Sequence, residues 1–393
     1  MISITDLHKT WGTEQYHTHA LLQGWDEFTC YESVADQLAS YTKERYQQNP
    51  DKVVGEIFDI YRSVNVVPIV YYTEPGLKRA IMNLDHTVAN NVEIIEKDGI
   101  TVKKSPSIPL GNNQGQSINR FCFPNMMTAE PKGRGSNSLR DRFHDDRKLE
   151  RAIRLCFEHR DGANLAGPTA LRRALELVTG ENIQNFKPLN ARAIVEYLCP
   201  TIWGNVYDYS AGYGGRLLGI ATSKMRFNYV GIDPNTETVG YLNYLNDLIY
   251  DTVGNRGVIV QSVSEEYRPD GGVDLAFSSP PYFNLEKYSD EPTQCMNRYT
   301  TLDDWFEGYV VPTMCNIHTS LESDGIFATN IADYKVGSNK EFKVVDRWIE
   351  TAEKLGFKHK STIRMMLNTR PGVGNDKTAG REKFEGVYVF TKK

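Results

Sequence analysis

The string VDLAFSSPPYFNLEKYS (273–289) holds the residues best suited to chemistry. Its apolar start, 273–277, reads as a buried strand, and Ser278, Ser279, Pro280, Pro281 and Tyr282 follow at once. Two prolines directly after a core strand end it abruptly and hold the chain extended and rigid. The Ser279 hydroxyl and the Pro280 carbonyl are then presented at the carboxyl edge of a sheet, where α/β proteins bind ligands. Two such acceptors suit an amino group whose lone pair is delocalised into an aromatic ring. Placed beside the NH2, they draw the nitrogen toward sp³ character and receive its proton. Tyr282 adds an aromatic face on which a base can stack. Serine–proline turns without function are common, but a diproline and an aromatic after an apolar strand are not.

A second constellation precedes it. VYDYSAGYGGRLLG (206–219) is a strand running into a glycine-rich turn and then a helix. Gly212, Gly214 and Gly215 let the backbone turn sharply and approach a ligand with no side chain in the way. NYVGID (228–233) then reads as a second strand ending in an acid. At this place in doubly wound folds an aspartate accepts hydrogen bonds from both ribose hydroxyls, here Asp233. The turn is neither a full GxGxxG nor a Walker pattern. Asp208 ends the first strand, where a carboxylate can meet the methionine moiety of S-adenosylmethionine. These details favour that cofactor over a dinucleotide or a nucleoside triphosphate. A tight strand-to-helix turn holding no ligand is the bland alternative.

The elements that must position these groups alternate after residue 185. Apolar, β-rich runs at 206–209, 229–232, 257–260, 273–277 and 326–330 are separated by helical stretches at 216–224, 236–250, 302–321 and 342–355. Such alternation predicts a parallel sheet covered by helices on both faces. KSTIRMMLN and GVYVFTKK read as two further strands, joined by a loop containing RPGVGND, that form an antiparallel pair at the sheet edge. Residues 1–125 have mainly helical spacing, with VNVVPIVYY (64–72) the best strand candidate. Residues 103–138, rich in Gly, Pro, Ser and Asn, read as loops or a linker. The predicted division is therefore a mainly helical region 1–125, a basic helical segment 126–183 and a catalytic domain 184–393.

The 393 residues suit two or three domains, and 40% hydrophobic with 24% charged residues fits a globular chain with a real core. No apolar run is long enough for a membrane span, and the N-terminus has no signal pattern. The six cysteines lie far apart with no CxxC pair, which argues against a zinc site or disulfide scaffold and for a reducing, cytoplasmic home. A formal charge of −5 does not advertise a nucleic-acid binder. Between residues 132 and 173, however, eleven Lys or Arg stand against six Asp or Glu. That basic stretch, with Arg147, Lys148, Arg151 and Arg154, is either a solvated helical face or a contact surface for phosphates.

Together, SSPPY and DYSAGYGG resemble the (D/N/S)PPY motif and the S-adenosylmethionine loop of the DNA amino-methyltransferases. The resemblance covers roughly residues 184–393 and implies a Rossmann-like class I methyltransferase fold: a parallel sheet with an antiparallel C-terminal edge strand. It implies that Ser279 and Tyr282 bind and stack the target base, with Pro280 and Pro281 between them. Ser210, Ala211, Gly212, Gly214 and Gly215 would form the cofactor loop, and Asp233 would hold the ribose. The adenine side would fall near Gln261, Ser262, Val263 and Ser264, with Ser262 the contact. NFKPLNARAIVEYL is similar to the segment that closes over the methionine end, which assigns Lys187 and Pro188 there.

The serine variant of the motif is frequent in enzymes acting on cytosine, so cytosine is favoured over adenine. Asn284, Glu286 and Tyr288 either lie in a loop over the base pocket or are plain loop residues; Arg381 with Glu382 reads first as an ordinary surface ion pair, and second as a pair orienting that loop or the flipped nucleotide. The expected reaction is direct displacement on the sulfonium methyl. It needs no cysteine nucleophile, and no Pro-Cys dipeptide of the ring-carbon type occurs. The expected partner is DNA, as a flipped base or single strand, in a prokaryotic or phage-like restriction-modification setting. RNA, a protein glutamine and a non-catalytic nucleic-acid-binding descendant of the fold are the alternatives.

Overall fold

A computed structural model describes residues 34–89, 92, 106–109, 113–131, 137–179, 182–200, 203–270, 272–336, 340–367 and 384–393. The chain groups into two compact units. One holds the described residues up to Arg79 with Ser117–Gln184 and Asn284–Ser289; the other holds Ala80–Gln116, Asn185–Phe283 and Asp290–Lys393. Residues 126–183 thus share a unit with the residues up to Arg79, and 80–116 group with the chain after 185.

The first unit is helical. α1 (Pro50–Val64) begins at Asn49, whose side chain accepts from the Lys52 N–H, with proline at the first position. Val53, Val54, Ile57, Ile60 and Tyr61 form its buried stripe at helical spacing. α2 (Asp146–Glu158) starts at Asp145, which accepts from the Lys148 N–H, and buries Leu149, Ala152, Ile153, Cys156 and Phe157. α3 (Pro168–Thr179) packs beside it.

Two expectations fail here. VNVVPIVYY forms no strand: α1 ends at Val64, Asn65 turns left-handed (φ 51°), and Val66, Val67 and Ile69 are buried without a ladder. Pro68, lacking an N–H, cannot donate to a sheet. The stretch 103–138 is not merely linker, because Ser107–Ile108 is a short strand and Gln116–Cys122 a helix. Ile118, Phe121, Cys122 and Phe123 are buried there, an apolar patch at helical spacing behind a Gly-rich opening.

The second unit is built on one sheet. Its strands are β1 (Trp203–Asp208), β2 (Arg226–Asp233), β3 (Val258–Gln261), β4 (Val273–Ser278), β5 (Leu321–Asn330), β6 (Phe357–Met366) and β7 (Phe384–Lys392). They lie in the order β3-β2-β1-β4-β5-β7-β6, with Ser107–Ile108 paired beyond β6. β1 to β5 are mutually parallel, while β7 is antiparallel to both neighbours, Val387 opposite Asn330 and Gly386 opposite Arg364. The antiparallel C-terminal pair forms as expected, and its last strand lies inside the sheet, between β5 and β6. This order is that of a Rossmann-like class I methyltransferase fold. Among the described residues, no helix is long and apolar enough to cross a membrane.

The helices of this unit include α4 (Pro188–Leu198), α5 (Gly215–Ala221), α6 (Thr236–Val253), α7 (Val311–Ser320) and α8 (Val345–Lys354). Arg192 on α4 is buried and donates to the Gly219, Leu84 and Thr87 carbonyls, which ties 80–116 into this unit. α4 and α5 touch backbone to backbone: a Cβ on Gly219 would lie 2.0 Å from the Pro188 oxygen. Gly219→Ala is therefore expected to destabilise the protein by about 1–3 kcal/mol. Gly55→Ala, in the exposed interior of α1 with nothing within 4 Å, is expected to stabilise it by about 0.5–1 kcal/mol. Denaturant midpoints of the two variants check both signs.

Candidate active site

The carboxyl edge of β1, β2, β4 and β5 gathers the residues singled out above. After β1 the chain passes Ser210 and Ala211 into a turn in which Gly212 (φ 53°) and Gly214 (φ 68°) are left-handed, conformations that side chains disfavour. Gly215 opens α5, and a Cβ there would lie 2.0 Å from the Phe186 carbonyl oxygen. The segment 185–188 therefore rests directly on the turn, and the Asn185 amide donates to the Tyr213 carbonyl (3.1 Å). Lys187 caps the start of α4, half-buried, and burial lowers its ammonium from the usual range.

Asp233 closes β2 and organises the turn. One carboxylate oxygen accepts from the Gly212 N–H and the other from the Asn235 N–H, both at 3.0 Å. Its own carbonyl accepts from the Ser262 N–H (3.2 Å), which brings the end of β3 to the same corner. Burial pushes its carboxyl up to about 6, the two backbone donors opposing and the Asp208 and Glu291 charges adding.

Asp208 stands differently from expectation. Its carboxylate is wholly buried and engaged within the protein on both oxygens. Oδ2 accepts from Arg216 Nε (2.8 Å) and the Tyr229 hydroxyl (2.7 Å); Oδ1 accepts from the Ser278 hydroxyl (2.6 Å) and the Ser210 N–H (3.4 Å). Arg216, also buried, donates to the Ser210 carbonyl and lies 5.6 Å from the Phe186 ring centroid. Asp208 is thus a hub joining the glycine turn to the end of β4, not a group presented to a ligand.

The two serines of SSPPY divide inward and outward, as successive strand residues must. Ser278 turns into the core toward Asp208. Ser279 is half-buried, and its hydroxyl donates to Asn330 Oδ1 (3.2 Å) at the end of β5. Pro280 is buried and Pro281 half-buried. The Tyr282 ring packs edge-to-face on Tyr334 (5.0 Å between centroids), and its hydroxyl accepts from the Ala332 N–H (3.0 Å). Tyr282 is thereby fixed in place with its ring half-exposed.

Asn284, Glu286 and Tyr288 group with the helical unit. There Glu130 and Lys287 exchange two backbone hydrogen bonds (2.9 and 3.0 Å), and their side chains pair at 3.2 Å. Arg381, Glu382 and the RPGVGND loop lie outside the described residues. On the basic helix, Lys148 pairs with Asp145, Arg151 with Glu158 and Arg154 with Asp51, at 2.8–3.0 Å. Three of the four cations named above thus already have acidic partners, the pattern of a solvated face.

Sequence reasoning missed Arg216, Tyr229, Tyr309 and Asn330. Tyr309 sits in a π-helical turn (Phe306–Val310), with its hydroxyl 3.1 Å from Ser210 Oγ. Only Asn330, as the polar end of an apolar strand at the ligand-binding edge, carried a sequence signal.

No family model matches the chain, and no curated protein sequence matches it. Its sheet is similar to those of solved methyltransferase structures. A TehB-like SAM-dependent methyltransferase from Corynebacterium glutamicum is 19% identical over 57% of this chain and 97% of that one, with a TM-score of 0.32. TrmN from Thermus thermophilus is 14% identical over 52% and 49%, with a TM-score of 0.33. Magnesium protoporphyrin IX methyltransferase from Synechocystis PCC 6803, with bound SAM, is 11% identical over 52% and 79%, with a TM-score of 0.34.

Proposed function

We propose that this chain transfers a methyl group from S-adenosylmethionine to the exocyclic amino group of a nucleobase in DNA, cytosine before adenine. The observation that carries the reading is Ser279: its hydroxyl proton is committed to Asn330, which leaves its oxygen lone pairs as acceptors beside the Pro280 carbonyl. That is the polarity an amino group requires. The half-exposed Tyr282 ring next to it offers the stacking face for a base taken out of the helix.

The residues present fit the cofactor. Asp233 is an acid whose ionisation burial opposes, so donors at its free lone pairs stabilise it, as two ribose hydroxyls would. The bare backbone of Gly212 and Gly214 leaves room at the turn, and Ser262 stands at the corner suited to adenine. Lys187 and its neighbours rest on the turn at the methionine end. When bound, S-adenosylmethionine supplies an electrophilic methyl on a positively charged sulfur. Ser279 and Pro280 hold the target nitrogen, accept its N–H hydrogen bonds and stabilise the positive charge that develops there. With the methyl given up and S-adenosylhomocysteine left as product, Ser279 and Pro280 would hold the nitrogen until its extra proton passes to solvent.

Cofactor binding is expected to weaken in acid. A carboxyl titrating at about 6 accepts from ribose hydroxyls fully only when ionised. Affinity for S-adenosylmethionine should therefore fall about tenfold between pH 7 and pH 5. Calorimetry across that range checks it, and Asp233→Asn should show a flat profile with weaker binding throughout. A flat profile in the wild type rejects the ribose assignment.

The activity test uses cofactor with a labelled methyl group, offered with native DNA, denatured DNA, RNA or protein, followed by digestion and mass analysis. Label in DNA as an N-methylated base, N4-methylcytosine before N6-methyladenine, is the expected result. Label in RNA or on glutamine, with none in DNA, overturns the choice of substrate.

A further inference from the structure

The orientation of the Ser279 hydroxyl depends on one residue of another strand. A serine hydroxyl has one proton and two acceptor lone pairs, and it rotates freely unless a partner holds it. An incoming NH2 with a delocalised lone pair offers only donors, so a hydroxyl proton turned toward it opposes binding and reaction. In this protein Asn330 Oδ1 takes that proton at 3.2 Å.

Asn330 is itself held. It is buried at the end of β5, and its Nδ2 donates to the Gly386 carbonyl of β7 (3.0 Å). The register explains why the groups meet: Ser278 lies opposite Thr329, which brings Ser279 beside Asn330, and Asn330 lies opposite Val387. On the same strand, burial raises the Glu385 carboxyl above its ordinary range, with Asn330 opposing. Donation to β7 from its Nδ2 end leaves the other end of the amide as an acceptor, facing Ser279.

We infer that Asn330 is a positioning residue for methyl transfer, holding the Ser279 hydroxyl proton away from the target amino group so that its oxygen acts as an acceptor. The inference rests on the amino-methyltransferase reading above. It adds a requirement which SPPY alone does not contain, met by the strand that β7 inserts beside.

The test compares Asn330→Ala, Asn330→Asp, Ser279→Ala and the double variant Ser279→Ala/Asn330→Ala, using labelled S-adenosylmethionine and denatured unmethylated genomic DNA. Asn330→Ala is expected to lower kcat about ten- to hundredfold, with KM and cofactor affinity near wild type. Asn330→Asp, whose carboxylate oxygen still accepts from Ser279 but which no longer donates to the Gly386 carbonyl, should recover part of that loss. The double variant should be no slower than Ser279→Ala, because the two groups act as one unit. Should Asn330→Ala unfold early, Asn330→Asp and its double with Ser279→Ala carry the comparison. Wild-type kcat in Asn330→Ala, or additive losses in the double variant, overturns the inference alone. A wild-type protein inactive on DNA, RNA and protein overturns the underlying reading, and the inference with it.

Discussion

Alanine at Ser279 is expected to lower methyl-transfer turnover by about 10²–10³-fold while S-adenosylmethionine binds almost as before. The loss belongs to kcat because the acceptor matters most when the nitrogen carries positive charge, after the ground state. Alanine at Tyr282 removes a stacking face worth about 1–3 kcal/mol for an unstacked base, so it should raise KM more than it lowers kcat. The Tyr282 hydroxyl bond to Ala332 and the Tyr334 contact place the ring without touching the Asp233 corner, so cofactor affinity should survive this change too. Methyl transfer and cofactor affinity, measured on the same preparations, check both variants. Loss of cofactor binding in a folded Ser279→Ala protein would assign the motif to the wrong ligand; full activity in both variants would remove the amino-methyltransferase reading.

The second large effect is on stability. Asp208→Asn leaves Arg216 buried with no counter-charge and leaves the Ser278, Tyr229 and Ser210 donors fewer acceptor sites. Breaking a buried pair in this way costs about 3–5 kcal/mol, a large share of the ~5–15 kcal/mol that holds a typical domain together. Asp208→Leu with Arg216→Met removes both charges, and it is expected to cost less than Asp208→Asn alone. Denaturant unfolding of the three proteins checks the order. A single variant within about 1 kcal/mol of wild type would show that Arg216 finds solvent or another partner.

The inserted β7 has a functional consequence. Its antiparallel entry beside β5 delivers the Gly386 carbonyl to Asn330, which holds the Ser279 hydroxyl. In the proposed reading, the final strand thereby bears on a serine about a hundred residues earlier in the chain.

The amino-acid sequence by itself determined the alternation of the main strands and helices from residue 206 onward, the sharp glycine turn and the abrupt stop of β4 at its prolines. Each of these follows from local rules: apolar periodicity, the absent Cβ, and the fixed φ and missing N–H of proline. It also misled where local signals were weak. The Gly-rich opening of 103–138 concealed a buried helix, and the β-branched run at 64–72 suggested a strand where Pro68 and a capping Asn65 prevent one. Tertiary structure alone decided which serine faces inward, that Asp208 is engaged inside the protein, and that Asn330 meets Ser279. Those partners are 70 and 51 residues apart in the chain, Ser278 to Asp208 and Ser279 to Asn330. No local pattern encodes a register between strands so distant. It is set when the sheet closes, because a one-residue slip of β4 would turn Ser278 away from Asp208 and Ser279 away from Asn330.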